Sequence, residues 1–139
     1  MMLAKRYHDI SCGHRVHGHE SKCAHLHGHN YRIHFTVKGD LDEVGRVLDF
    51  SVIKTTLCMW IEDNWDHRFL VWENDPLASY LIDIDKTVVK TPFNPTAENM
   101  AGYLLTIIGP LVLSDESAKL VEVTVEETAK CSATRTILY

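Results

Sequence analysis

His27-Gly28-His29-Asn30-Tyr31-Arg32-Ile33-His34-Phe35-Thr36-Val37 decides the fold, because its odd positions read His, His, Tyr, Ile, Phe and Val while its even positions are largely polar. Strand side chains alternate between two faces, so this pattern is a half-buried β-strand. Its apolar face ends in two imidazoles that point the same way. Upstream, about Leu3 to His14 forms a neighbouring strand with Ile10, Cys12 and His14 on one face, and residues 15 to 26 make a polar loop. Gly39-Asp40 and residues 42 to 45 mark a turn beyond the second strand.

Further along, Asp49 is a suitable N-cap, and Ile53, Leu57, Trp60 and Ile61 follow at helical spacing as far as Asn64. Pro76, Pro92 and Pro95 mark residues 70 to 95 mostly as loop, with a short strand expected within Leu81 to Val89. A second helix is expected from Asn94 to Thr96 onward, with Met100, Leu104, Ile107 and Ile108 as its apolar stripe and Gly109-Pro110 as its stop. Leu120 to Thr128 and Ala133 to Leu138 give two more strands, and Glu127 falls in line with Val121, Val123 and Val125. The expectation is one domain over residues 1–139, of α+β class, with two helices covering one face of an antiparallel sheet.

Composition narrows the function. The chain of 139 residues carries a net charge of −5, which argues against a general nucleic-acid surface. No apolar run approaches the roughly 18 residues needed to span a bilayer, and no secretory signal is evident, so no membrane partner and a cytoplasmic location are expected. In that compartment Cys12, Cys23, Cys58 and Cys131 stay reduced. The anomaly is histidine: His8, His14, His17, His19, His25, His27 and His29 crowd the first 29 residues.

Neutral imidazole is a common metal ligand, and an H-x-H pair on a strand presents both rings on one face. His14, at the end of the neighbouring strand, supplies a third, and three protein ligands leave a position open for catalysis. The alternative is adventitious binding by a histidine-rich loop, with His17 and His19 as rival ligands. Cys23 stands four residues before His27, close enough to act without ligating, whereas Cys12, Cys58 and Cys131 suit small buried hydrophobes. Asp66-His67 pairs a carboxylate with an imidazole, a combination that relays protons. Glu127 on an apolar face needs a donor-rich partner.

Cys23-Ala24-His25-Leu26-His27-Gly28-His29 resembles the C-x-x-x-H-G-H signature of the 6-pyruvoyl-tetrahydropterin synthase superfamily, and its three-residue gap resembles the 6-carboxy-tetrahydropterin synthase branch of queuosine-type deazapurine biosynthesis. His14-Arg15, Asp49-Phe50, Asp66-His67, Pro95-Thr96-Ala97-Glu98-Asn99 and Val125-Glu126-Glu127-Thr128 resemble further family fragments in the same order. The resemblance implies a tunnelling fold: a four-stranded antiparallel sheet with two helices, closed by three subunits into a barrel and doubled into a homohexamer with sites between subunits. It implies Zn2+ on His14, His27 and His29, proton transfer by Cys23, Asp66 and His67, and a pterin held by Glu127 and Thr96. The implied substrate is 7,8-dihydroneopterin triphosphate. Arg15, Lys22 and Arg68 are the cations that charge alone offers the triphosphate. Cys12, Trp65 and a long insert at 71–93 depart from the family pattern. The rival readings are a 6-pyruvoyl-tetrahydropterin synthase, which leaves the carbon–carbon bond intact, and a non-catalytic zinc-binding module; no H-E-x-x-H is present to suggest a metal hydrolase.

Overall fold

The computed structural model describes residues 1–138. Strands β1 (Leu3–His14) and β2 (His27–Lys38) pair antiparallel without a break, from Leu3 opposite Lys38 to His14 opposite His27. Strand β5 (Lys119–Thr128) pairs antiparallel with β2, and β6 (Cys131–Thr136) with β5. These four are the expected antiparallel strands.

Two more strands correct the expectation. β3 (Phe69–Trp72) and β4 (Val89–Thr91) extend the other edge in parallel, giving a mixed six-stranded sheet of order β4-β3-β1-β2-β5-β6. Both lie in or beside the segment expected to be mostly loop. The short strand expected within Leu81 to Val89 is instead helix α3 (Ala78–Ile84), with β4 only starting at Val89. Alternation there is ambiguous: Ala78, Leu81 and Ile82 are at least half-buried at helical spacing, while Ile84 is exposed.

The first long helix runs as α1 (Phe50–Ile53), a π-helical turn (Lys54–Cys58) and α2 (Met59–Asn64), with the Asp49 carboxylate accepting from Ser51 N–H as its cap. The second runs as α4 (Ala97–Tyr103), a π turn (Leu104–Ile108) and α5 (Gly109–Val112), capped by Thr96 Oγ1 accepting from Asn99 N–H. Gly109-Pro110 therefore does not stop it. The wide π turn absorbs Pro110, which has no N–H to give. Gly109 is there for clearance: a Cβ at that position would sit 2.6 Å from Leu120 Cδ2 on β5.

Both helices lie on one face of the sheet. Ile53, Leu57, Ile61 and Trp65 from the first, and Met100, Leu104, Leu105 and Ile108 from the second, bury against Ile33, Phe35, Val37, Val123 and Val125. The π turn swings Ile107 out of the expected stripe, leaving it 53% exposed. Cys12 and Cys58 are buried, as expected of small hydrophobes, but Cys131 is exposed on β6. The other sheet face stays open and polar, with Tyr7, Asp9, Ser11, Asn30, Arg32 and His34 along it. Met100→Ala should lower unfolding stability by about 2–5 kcal/mol. Ile107→Ala should stay within about 0.5 kcal/mol of the parent in urea titrations.

Candidate active site

The hairpin register sets His14 opposite His27 and Cys12 opposite His29, so three imidazoles converge on the helix-covered side of the sheet. One ligand nitrogen from each of His14, His27 and His29 lies within 4.8 Å of the others. His14 is fully buried, and its Nδ1 sits 2.6 Å from the Pro95 carbonyl just before α4. His27 Nδ1 sits 2.8 Å from the His25 carbonyl. A carbonyl can only accept, so both Nδ1 atoms carry the proton and both Nε2 atoms present lone pairs. Those two Nε2 atoms are 3.0 Å apart. Facing lone pairs at that separation call for a cation or a shared proton.

Burial lowers the His14 pKa, outweighing the upward pull of the Pro95 carbonyl and Glu127; His29 is lowered in the same way, by burial against Glu127. Both are thus held neutral, as metal ligation requires. His29 Nε2 is buried without a hydrogen-bond partner, its 3.4 Å approach to Glu127 Oε1 lying outside hydrogen-bonding geometry. A buried nitrogen without a partner, beside facing lone pairs, fits a divalent metal centre of three imidazoles.

Glu127 stands beside this group, with Oε1 3.3 Å from His14 Nε2. The Tyr31 hydroxyl donates to Glu127 Oε1 at 3.3 Å and lies 3.2 Å from His14 Nδ1. Burial, then the negative charges around it, raises the Tyr31 pKa, so the phenol stays a donor. Tyr31 went unremarked as a site residue in the sequence, although it shares the odd face of β2 with His27 and His29. Cys23 sits half-buried in a short helical turn (Lys22–Ala24), outside the three-nitrogen group but near enough for its charge to bear on Tyr31. Burial pushes the other nearby thiol, Cys12, up to about 12. Thr96 Oγ1 caps α4 one residue after the Pro95 carbonyl that meets His14.

His17 and His19 are held elsewhere. His17 lies 3.3 Å from an Arg15 guanidinium nitrogen, and its main chain is bracketed by the Asn94 amide; His19 Nδ1 accepts from Ser21 N–H. Arg15, a candidate for the triphosphate by charge, is engaged inside the fold by Asp75.

The Asp66–His67 pair is formed, and neither residue is among the three grouped imidazoles. Asp66 Oδ2 accepts from His67 Nδ1 at 2.8 Å, while Oδ1 accepts from Ser11 N–H. Burial draws the Asp66 pKa upward, but the bonds from Ser11 and His67 win and hold it below the ordinary value. His67 is 81% exposed in its side chain and borders hollows with Ser11 and Asn30 on the open sheet face. Its φ of 60° is the positive value of a non-glycine residue, secured by a His67 N–H to Ser11 O bond. That conformation costs about 1 kcal/mol or more. The His67 ring stands largely in solvent, and it borders a hollow that His29 also lines.

The family described as 6-pyruvoyl tetrahydropterin synthase matches residues 3–136. The chain belongs to that family. A Rickettsia typhi protein named 6-carboxy-5,6,7,8-tetrahydropterin synthase is 33% identical over 94% of this chain and 97% of its own. A Halobacterium salinarum protein named as a probable synthase of the same kind is 37% identical over 89% of this chain and 79% of its own. Among solved structures, the Caenorhabditis elegans 6-pyruvoyl tetrahydropterin synthase superposes with a TM-score of 0.71 at 27% identity, covering 99% of this chain and 96% of its own. An uncharacterized Wolinella succinogenes protein shares the fold with a TM-score of 0.84 at 22% identity, covering 97% of each chain. The α+β tunnelling fold therefore holds, with six strands in place of four, and the chain is an enzyme of this family.

Two predictions follow from the geometry. His27→Ala or His29→Ala should abolish stoichiometric binding of a divalent transition metal, and His17→Ala should leave it intact, as read by elemental analysis. The metal-free chain should also lose stability as pH falls from about 6.5, because the unfolded chain protonates His14 and His29 before the folded one does. Melting temperatures from pH 8 to 5 check this, and His29→Gln should flatten the slope.

Proposed function

We propose that this chain is a zinc-dependent lyase that converts 7,8-dihydroneopterin triphosphate to 6-carboxy-tetrahydropterin, releasing acetaldehyde and triphosphate. The observation that carries this reading is the convergence of three imidazoles beside the Glu127 carboxylate. The names of the similar Rickettsia and Halobacterium proteins support the 6-carboxy product. The whole chain acts as a single pterin synthase-like domain in queuosine-type deazapurine synthesis. Its four free thiols suit the reducing cytoplasm.

His14, His27 and His29 would hold zinc, which supplies Lewis-acid polarisation of the substrate's side-chain oxygens. Cys23, from its turn beside Tyr31, takes and returns protons on the side-chain carbons. Glu127 accepts N–H donors of the pterin ring, a charge-assisted pairing that fixes its register, and the Tyr31 hydroxyl holds the carboxylate in place. The Thr96 hydroxyl also contacts the pterin.

His67, oriented by Asp66, is the second acid/base group, and it works on a neighbouring subunit's substrate. The exposure of its side chain supports this, as do the sheet edges: β4 and β6 leave the sheet with two open edges, which a closed homohexamer, a dimer of trimers, would join.

Incubating the zinc-loaded protein with dihydroneopterin triphosphate should yield the 6-carboxy product and acetaldehyde. A 6-pyruvoyl product without acetaldehyde would move the assignment to the sister activity, and no turnover would leave a zinc-binding module. Cys23→Ala should keep its zinc and lose about a hundredfold or more in kcat, whereas Glu127→Gln should raise KM as well. Co-assembling inactive Cys23→Ala chains with inactive His67→Ala chains should recover activity, because some sites then draw both groups from intact partners. Failure to recover in proven mixed oligomers would place His67 in its own chain's site.

A further inference from the structure

We propose that Asp75 and Arg15 form a positioning clamp that sets Cys23, so that the insert after β3 acts on the reaction without touching the substrate. This rests on the reading of Cys23 as an acid/base group.

Arg15 directly follows His14, and beside its 3.3 Å approach to His17 its guanidinium makes two donor bonds. Nε donates to Asp75 Oδ2 at 2.7 Å, and Nη1 donates to the Ala24 carbonyl at 2.9 Å. Ala24 is the residue after Cys23 in the Lys22–Ala24 turn. A main-chain bond from Val16 N–H to the Cys23 carbonyl, 2.9 Å long, lies alongside. The turn that carries the thiol is thus tied to the strand end that carries His14.

Asp75 is the immobile end of this link. Its side chain is completely buried, and its second oxygen accepts from Leu77 N–H at 2.9 Å, in the turn that opens α3. A carboxylate so enclosed needs a cation, and the forked guanidinium serves it and the Ala24 carbonyl from two separate nitrogens. The insert therefore holds a fixed anion, the anion fixes Arg15, and Arg15 fixes the Cys23 turn.

Arg15→Lys separates positioning from structural support. A lysine ammonium keeps the buried charge of Asp75 paired but has one nitrogen in place of the two that hold Asp75 and Ala24 in fixed relation. Asp75→Asn removes the anchor instead, and Asp83→Asn, in the exposed part of the same insert, is the control. On the zinc-loaded, assembled protein three quantities are read: zinc content, kcat and KM with the pterin triphosphate, and the rate of Cys23 alkylation by iodoacetamide, followed by the mass of its peptide. We expect Arg15→Lys and Asp75→Asn to keep full zinc and nearly unchanged KM. Alkylation of Cys23 should be severalfold faster and kcat about tenfold to a hundredfold lower, the scale of a small misplacement of a reacting group. Asp83→Asn should match the parent throughout. Parental alkylation rates in Arg15→Lys overturn the clamp. Faster alkylation with parental kcat supports the clamp and overturns the catalytic reading of Cys23, so the two failures are told apart.

Discussion

The bond between His14 Nδ1 and the Pro95 carbonyl is the constraint around which the site is organised. A fully buried imidazole cannot leave its nitrogens to water, so it must find partners within the fold. The carbonyl that serves it sits one residue before the cap of α4, and α4 is placed by packing Met100, Ala101 and Leu104 onto the sheet. The core therefore sets the tautomer of one of the three clustered imidazoles: once Nδ1 is committed, Nε2 has its lone pair directed toward His27. Such an outer partner is what keeps a histidine ligand oriented and basic.

The sheet then divides the chemistry between its faces. The alternation that packs Ile33, Phe35 and Val125 under the helices also delivers His14, His29 and Glu127 to that side. Asp66 and His67 sit across the strand, tied to the main chain of Ser11 and turned toward the open face. The three clustered imidazoles and the exposed Asp66–His67 pair are thus carried by one sheet but presented to different surroundings.

Much of this was legible in the sequence because period-two alternation is a strong signal when one face is buried. It put His27, His29 and Tyr31 on one face of β2 and Glu127 in line with the valines of β5, and the Asp49 and Thr96 caps followed from local chemistry. What escaped depends on long-range packing. The π turns displaced Ile107 from its stripe, and the need for Gly109 to approach Leu120 turned an apparent stop into helix interior. The short parallel strands β3 and β4 have too few residues to show a period, and α3 alternates by accident. The burial of Asp75 and its hold on Arg15 link residues 60 positions apart, which no local pattern reports.

The unbroken hairpin from Leu3 to Lys38 also orders events in time. All three clustered histidines lie on its two strands, joined by a loop of a dozen residues, so they meet as soon as the hairpin closes, a microsecond-scale step in isolated hairpins. Glu127 and the Pro95 carbonyl arrive only when β5 and α4 dock, contacts that carry a much larger loop-closure entropy. The three imidazoles can thus come together before the carboxylate and the carbonyl that flank them are in place, and any cation that drew them together would favour the native register of β1 against β2.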